Sequence, residues 1–188
     1  MPPPADLPYF TGKLLLALPA IGDPRFDHAI IAMVSHDADG AMGIAIGQAG
    51  DFSVSEVLDQ AQLAGTIAPD PPVMIGGPVE PQRGFVIHSL DWGGQDTIDV
   101  AGQFAVTGSL DVLRAIAGGK GPSRWMLAMG YAGWGAGQLE GEIGQDAWHV
   151  TDIDPTILFD LAPESRWAAT MARDGIDPAR IAVRGGRA

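Results

Sequence analysis

The chain has 188 residues, a hydrophobic content of 46% and a charged content of 18%, the proportions of one soluble globular domain rather than a disordered or membrane-embedded chain. A formal net charge of −12 repels phosphate backbones, and there are no cysteines, which excludes disulfides, thiolate nucleophiles and thiolate metal ligands. The start, Met1-Pro2-Pro3-Pro4, lacks the basic region and apolar run of a secretory signal, and the longest apolar run, Leu14 to Ile21, is interrupted by Pro19. The expectation is a single domain over 1–188 with a flexible start over 1–8 and a polar tail over 183–188, residing in the cytoplasm without contact with a membrane.

Taken in order, Lys13 to Leu18 predicts a first strand and Ala29 to Ser35 a second, with Asp23-Pro24-Arg25-Phe26 as a turn that seats Phe26. Asp39-Gly40 between two apolar runs predicts a hairpin into Ala41 to Ile46. Ser53-Val54-Ser55-Glu56 is a capping box and predicts a helix to about Leu63. Val73 to Ile75 is a short strand entering Gly76-Gly77-Pro78, a turn that lets two backbones approach closely. Arg83 to Leu90, Thr97 to Val100 and Gln103 to Thr107 predict three further strands, and Ser109 opens a helix that Gly118-Gly119 ends.

Arg124 to Met129 then predicts a buried strand that runs into Gly130-Tyr131-Ala132-Gly133-Trp134-Gly135-Ala136-Gly137, read as a glycine-rich turn, and into a helix over Gln138 to Gln145. Ala147 to Val150 is a strand, Ile157-Leu158-Phe159 an apolar docking segment, and Pro163 to Asp174 a helix stopped by Gly175, with Trp167 and Met171 facing the core. Asp177-Pro178 starts a last helical turn. Strands and helices lack an even alternation, which predicts an α+β domain with a curved, largely antiparallel sheet.

Candidate chemistry concentrates on the glycine and tryptophan hub. Trp134 lies between glycines and is expected on the surface, and Glu140 and Glu142, two apart on a helix, point away from each other. His36, His88, His28 and His149 show no metal-ligand spacing, no G-x-S-x-G elbow or phosphate-binding loop is present, and no cofactor or metal is expected. No Lys or Arg occurs between Gly130 and Asp160, and the arginines after Glu164 are offset by Asp174 and Asp177. With no helix-turn-helix signature, this argues against direct DNA binding.

The run Gly130-Tyr131-Ala132-Gly133-Trp134, followed by Gly137-Gln138-Leu139-Glu140, Glu142 and Trp148, resembles the signature of the YqgE/AlgH family of bacterial proteins. The resemblance extends to Leu15, Ala17 and Pro19, His36 with Gly40-Ala41-Met42-Gly43, Gly76-Gly77-Pro78-Val79, Arg83-Gly84-Phe85 with His88, Phe159 and Arg166-Trp167. It implies a bifurcated sheet folded into a pseudo-barrel flanked by short helices. Gly47 and Ala49 stand where the family usually carries Asn and Pro. The family's function is uncharacterised, with one branch labelled a transcriptional regulator. The expectation is therefore a non-enzymatic regulatory or binding protein that contacts a protein or small ligand through Tyr131, Trp134, Gln138, Glu140, His36, Arg83 and His88. The rival is a small-molecule hydrolase or transferase using Glu140 with His36 or His88, which requires the pair within hydrogen-bond reach of each other in a concave pocket.

Overall fold

The computed structural model describes residues 9–184. The expected flexible start over 1–8 lies outside the described residues; the expected tail lies outside them beyond Arg184. The expected α+β class is what forms: a curled, largely antiparallel sheet makes a half-barrel flanked by short helices. The strands are β1 (Lys13–Ala17), β2 (Ile30–Asp37), β3 (Gly40–Ala45), β4 (Ala49–Ser53), β5 (Pro72–Ile75), β6 (Val79–His88), β7 (Ile98–Val100), β8 (Phe104–Thr107), β9 (Trp125–Gly135) and β10 (Trp148–Asp152). Their main order is β10-β1-β2-β3-β9-β6-β8-β7. The helices are α1 (Val54–Gln60), α2 (Leu110–Ala117), α3 (Gln138–Gly144), α4 (Pro155–Phe159), α5 (Pro163–Arg173) and α6 (Pro178–Arg184).

Unbroken apolar strands such as Leu14-Leu15-Leu16 arise because both faces of the sheet are covered. Side chains alternate across a strand, so Leu14 and Leu16 of β1 and Ile30, Ala32 and Val34 of β2 enter one cluster, closed by Ile157 and Leu158 of α4 and Met171 of α5. Leu15, Ala17, Ile31 and Met33 point the other way, into a second cluster with Trp134, Leu139 and Trp148. A third cluster sets α1 and α2 against Val86 and Leu127. Local signals hold where a side chain bonds its own backbone. Ser53 Oγ accepts from Glu56 N–H and Glu56 Oε2 accepts from Ser53 N–H, so α1 starts at the capping box.

The sheet branches at β9. One edge pairs antiparallel with β6 from Trp125 to Tyr131; the other takes β5 in parallel at Ala128 and Met129, then β3 antiparallel from Ala132 to Gly135. Gly76 sits at the fork, its N–H donating to Met129 O (2.8 Å) and its carbonyl accepting from Ala45 N–H (2.8 Å). The crossing backbones leave no room for side chains. A Cβ on Gly76 would overlap Gly130 O, one on Gly77 would overlap the Tyr131 carbonyl, and one on Gly130 would overlap Gly77 O. Gly77 and Gly130 also have positive φ (151° and 78°), which favours glycine independently of space.

One element differs from the expectation. Gly130 to Gly135 is not a turn: β9 continues through it, and the turn is confined to Ala136 and Gly137. Pairing of Trp134 with Ala41 and Gly133 with Met42 overrides the weak strand preference of glycine. The fork yields a graded prediction. Gly76→Ala should cost at least about 3 kcal/mol because backbone would have to move, whereas Gly141→Ala, in the middle of α3 with nothing near its Cβ position, should gain about 0.5–1 kcal/mol. Urea midpoints of the two variants moving in the same direction would contradict this assignment.

Candidate functional site

The second tryptophan-lined cluster is tied together by one carboxylate. Leu139 is fully buried and fixes the rotation of α3, which brings Gln138 and Glu142, four apart, to one side. Gln138 Oε1 accepts from Gly135 N–H (3.0 Å) and its Nε2 donates to Glu142 Oε1 (3.0 Å). Glu142 Oε2 accepts from both indoles, Trp134 Nε1 (2.9 Å) and Trp148 Nε1 (2.7 Å). The rings meet edge to face at 6.0 Å, and Phe26 meets Trp148 likewise at 5.8 Å. Trp134 is therefore not the surface ring that its flanking glycines suggest. It is only 7% exposed, because strand pairing turns its side chain under α3.

His36 and Glu140 lie beside this network. Nε2 of His36 is 3.0 Å from Glu140 Oε1; the imidazole is buried, at 1% exposure, and the carboxylate partly buried, at 15%. The separation meets the distance required of an acid–base pair, yet Nδ1 is occupied as well, accepting from Phe10 N–H at 3.0 Å. Both imidazole nitrogens are committed, and no ring nitrogen is free to take a proton from a substrate.

His88 belongs to another part of the molecule. It pairs with Trp125 at the far end of β9 from Trp134, on the order of 30 Å away at about 3.3 Å per residue. It is fully buried. Its Nδ1 donates to Ser89 O (2.8 Å), and Nε2 accepts from the Thr107 hydroxyl (2.8 Å), which in turn meets Thr97 Oγ1 (2.8 Å). Burial holds its pKa below the usual histidine value. Arg83 is exposed, bonded to Glu80 (3.3 Å) and placed over the Phe85 ring at 5.1 Å, and Phe85 meets Tyr131 edge-on at 6.0 Å. The seven residues expected to form one surface thus separate into three groups. His36, Trp134, Gln138 and Glu140 converge, Tyr131 and Arg83 share the Phe85 ring, and His88 stands apart.

A large concavity lies elsewhere. A groove of about 720 Å³ runs between the turn Pro24–Phe26, the segment Ala45 to Gln48, Gly77-Pro78 and α5. Glu164, Trp167 and Ala168 line it from α5, the i, i+3, i+4 face of a helix. Trp167 is half-buried, packed against the core cluster of Leu16 and Met171 on one side and open to the groove on the other. Its Nε1 donates to Ala17 O (3.0 Å), His28 packs on it at 4.4 Å, and a second cavity of about 640 Å³ opens on Ala17, Pro19 and the same ring. Gly47 forms part of the wall. A Cβ there would lie 3.0 Å from Cγ2 of the fully buried Ile30. Behind the wall, buried Arg166 donates from Nη1 to Ile46 O (2.6 Å) without a carboxylate partner among the described residues, and burial lowers its pKa to about 10. The spacing of Glu164, Trp167 and Ala168 was the available sequence signal for this groove; nothing in the sequence marked the facing wall.

Comparison with known proteins agrees with this architecture. The profile described as AlgH-like matches residues 14–179. The chain belongs to the AlgH-like family. A UPF0301 protein of Sphingopyxis alaskensis is 54% identical over 181 residues, covering 96% of this chain and 97% of that protein. Another, from Novosphingobium aromaticivorans, is 48% identical over 185 residues, covering 98% and 100%. The solution structure of AlgH from Pseudomonas aeruginosa superposes with a TM-score of 0.79 at 38% identity, covering 99% of this chain and 98% of that one. A Corynebacterium diphtheriae crystal structure at 22% identity shares the fold, with a TM-score of 0.71 over 91% of this chain and 90% of that one. Among the described residues no group of three His, Asp or Glu is arranged to hold a metal, and no helix is long and apolar enough to cross a membrane.

Removing the shared acceptor gives a direct test of the AlgH-like hub. Glu142→Ala leaves two indole N–H groups and the Gln138 amide without their acceptor, at a cost of about 2–3 kcal/mol. Denaturant unfolding followed by tryptophan fluorescence should show that loss; an unchanged midpoint would mean that the carboxylate does not organise the hub.

Proposed function

We propose that the protein is a non-enzymatic, cytoplasmic regulatory protein that binds a segment of a partner protein, and that the contact is made in the groove beside α5 rather than at the glycine and tryptophan hub. The segment it fits carries an apolar side chain next to a lysine or arginine. The observation that carries this reading is the placement of Trp167, held rigid by its bond to Ala17 O, on the same helical face as the Glu164 carboxylate. Ile75, at the opposite lip, is 45% exposed. Asp27 adds a second carboxylate. The one guanidinium at the rim, Arg25, is already engaged by Asp23 (Nη2 to Oδ2, 2.7 Å), which holds the Asp23 carboxyl below its usual range.

A groove with apolar walls and two exposed carboxylates, Glu164 and the Asp27 that meets His28 Nδ1 at 3.0 Å, favours a basic, amphipathic occupant, and the net charge of −12 steers such a partner from a distance. The same charge disfavours a duplex, whose binding requires several clustered Lys or Arg contacts to phosphate. An acid–base enzyme built on His36 and Glu140 is disfavoured because Phe10 N–H occupies the nitrogen that a general base would use.

Two capped tripeptides distinguish the readings. In amide and indole correlation spectra, acetyl-Leu-Lys-Leu-amide should perturb Trp167, Ala168 and Ile75, at least about fivefold more tightly than acetyl-Leu-Glu-Leu-amide, a difference of about 1 kcal/mol. Glu164→Lys should abolish that preference. A labelled duplex at low salt should perturb none of these signals. Equal response to both peptides, or shifts confined to Trp134 and Gln138, would overturn the assignment.

A further inference from the structure

The segment Tyr9–Thr11 is strapped across the end of β2, and His36 is its anchor. Phe10 N–H donates to His36 Nδ1 (3.0 Å), and His36 N–H donates to Thr11 Oγ1 (2.9 Å). The Phe10 ring stacks on the imidazole at 5.4 Å and 24°, while the Tyr9 ring meets it edge-on at 5.1 Å and 74°. On the far side of the ring, Nε2 meets Glu140 Oε1 at 3.0 Å. A backbone N–H aimed at Nδ1 requires a lone pair there, so the single ring proton resides on Nε2 and is donated to Glu140. The imidazole is neutral and held in one tautomer by two partners.

Those partners favour opposite protonation states. A second proton can be added only at Nδ1, where it would meet the Phe10 N–H donor to donor, so the strap favours the neutral ring. The Glu140 carboxylate favours the imidazolium, whose bond to it becomes charge-assisted. Glu140 from α3 and the Tyr9 phenol from the strap are the titratable groups in contact with the ring among the described residues. Ala41, opposite on β3, and Trp134, beyond it on β9, are uncharged. Glu142 of α3 is occupied by two indoles. Ser35 and Asp37, the neighbours on β2, point to the other face and are exposed.

We propose that His36 is a proton-operated latch for the N-terminal strap. A solvent proton taken up at Nδ1 breaks the bond from Phe10 N–H and lifts Tyr9–Thr11, while the imidazolium stays docked on Glu140. Phe10 packs against the cluster that holds Trp134 and Trp148, so lifting the strap uncovers that edge of the hub. The latch is closed while the imidazole is neutral and open once it carries the second proton. It operates independently of the α5 groove.

Hydrogen exchange on the full chain tests the latch, because the strap carries its own control. Gly12 N–H bonds to Met33 O at 2.9 Å and does not involve the imidazole. Between pH 8 and pH 5 the protection factor of the Phe10 amide should fall at least tenfold while that of Gly12 holds. Glu140→Gln keeps an acceptor for Nε2–H but removes the charge that favours the imidazolium, so the midpoint of release should move to lower pH. Constant protection at Phe10, a parallel fall at Gly12, or an unmoved midpoint in Glu140→Gln would each overturn the proposal.

Discussion

Everything distinctive about this fold depends on a crossing of two backbones at van der Waals contact. Gly76-Gly77 passes over Gly130-Tyr131 with no side chain between them, and this crossing lets one strand, β9, carry β5 and β3 in succession along the same edge. Close approach of main chains is affordable only where Cβ atoms are missing. Beyond the fork β9 pairs with β3, so Trp134 is delivered opposite Ala41 and beneath α3. The fork also ties Ala45 to Gly76, and Ile75 N–H bonds to Gln48 O (2.9 Å), which fixes one wall of the α5 groove. Hub and groove are two consequences of one steric condition.

The hub shows how a cluster of chemistry-bearing residues becomes architecture. Glu142 is aimed at two indole N–H groups and a glutamine amide, and Glu140 at an imidazole. Buried donors of this kind need acceptors wherever water is excluded, and one carboxylate oxygen serves two tryptophans from different strands. The arrangement clamps β9, α3 and β10 together. The accessible chemistry lies instead at Glu164 and Trp167, where a carboxylate and a rigid ring share a concavity.

Much of the fold was legible in the sequence because its local signals are strong. The capping box at Ser53, the Asp39-Gly40 hairpin and the helix opening at Pro163 all fall where side chains dictate backbone. Gly76-Gly77-Pro78 was legible as a close approach, but not what it approaches, since Gly130 is distant in sequence. The same nonlocality hid the site. Three glycines in Gly130 to Gly135 read as a turn, and only pairing with β3 makes them a strand. Glu140 and Glu142 read as carboxylates pointing apart, but not which partners each would meet, since the indoles that bond Glu142 come from β9 and β10. Trp167 read as facing the core from its spacing to Met171; Met171 is buried there, while the indole packs half-buried against the same cluster and also lines the groove. His36 and Glu140 were named together from their residue types. The strap that occupies the second nitrogen left no periodic trace.

The account stands on the hub being closed, with both indole protons consumed by Glu142. Exchange of the Trp134 and Trp148 Nε1 protons with deuterated solvent measures this directly. A hydrogen-bonded, buried indole exchanges only when the surrounding structure opens, so both protons should be slowed by about a thousandfold or more relative to a free indole and should exchange together. Exchange of either proton near the free-indole rate under native conditions would show an open hub and return Trp134 to the surface as a contact residue.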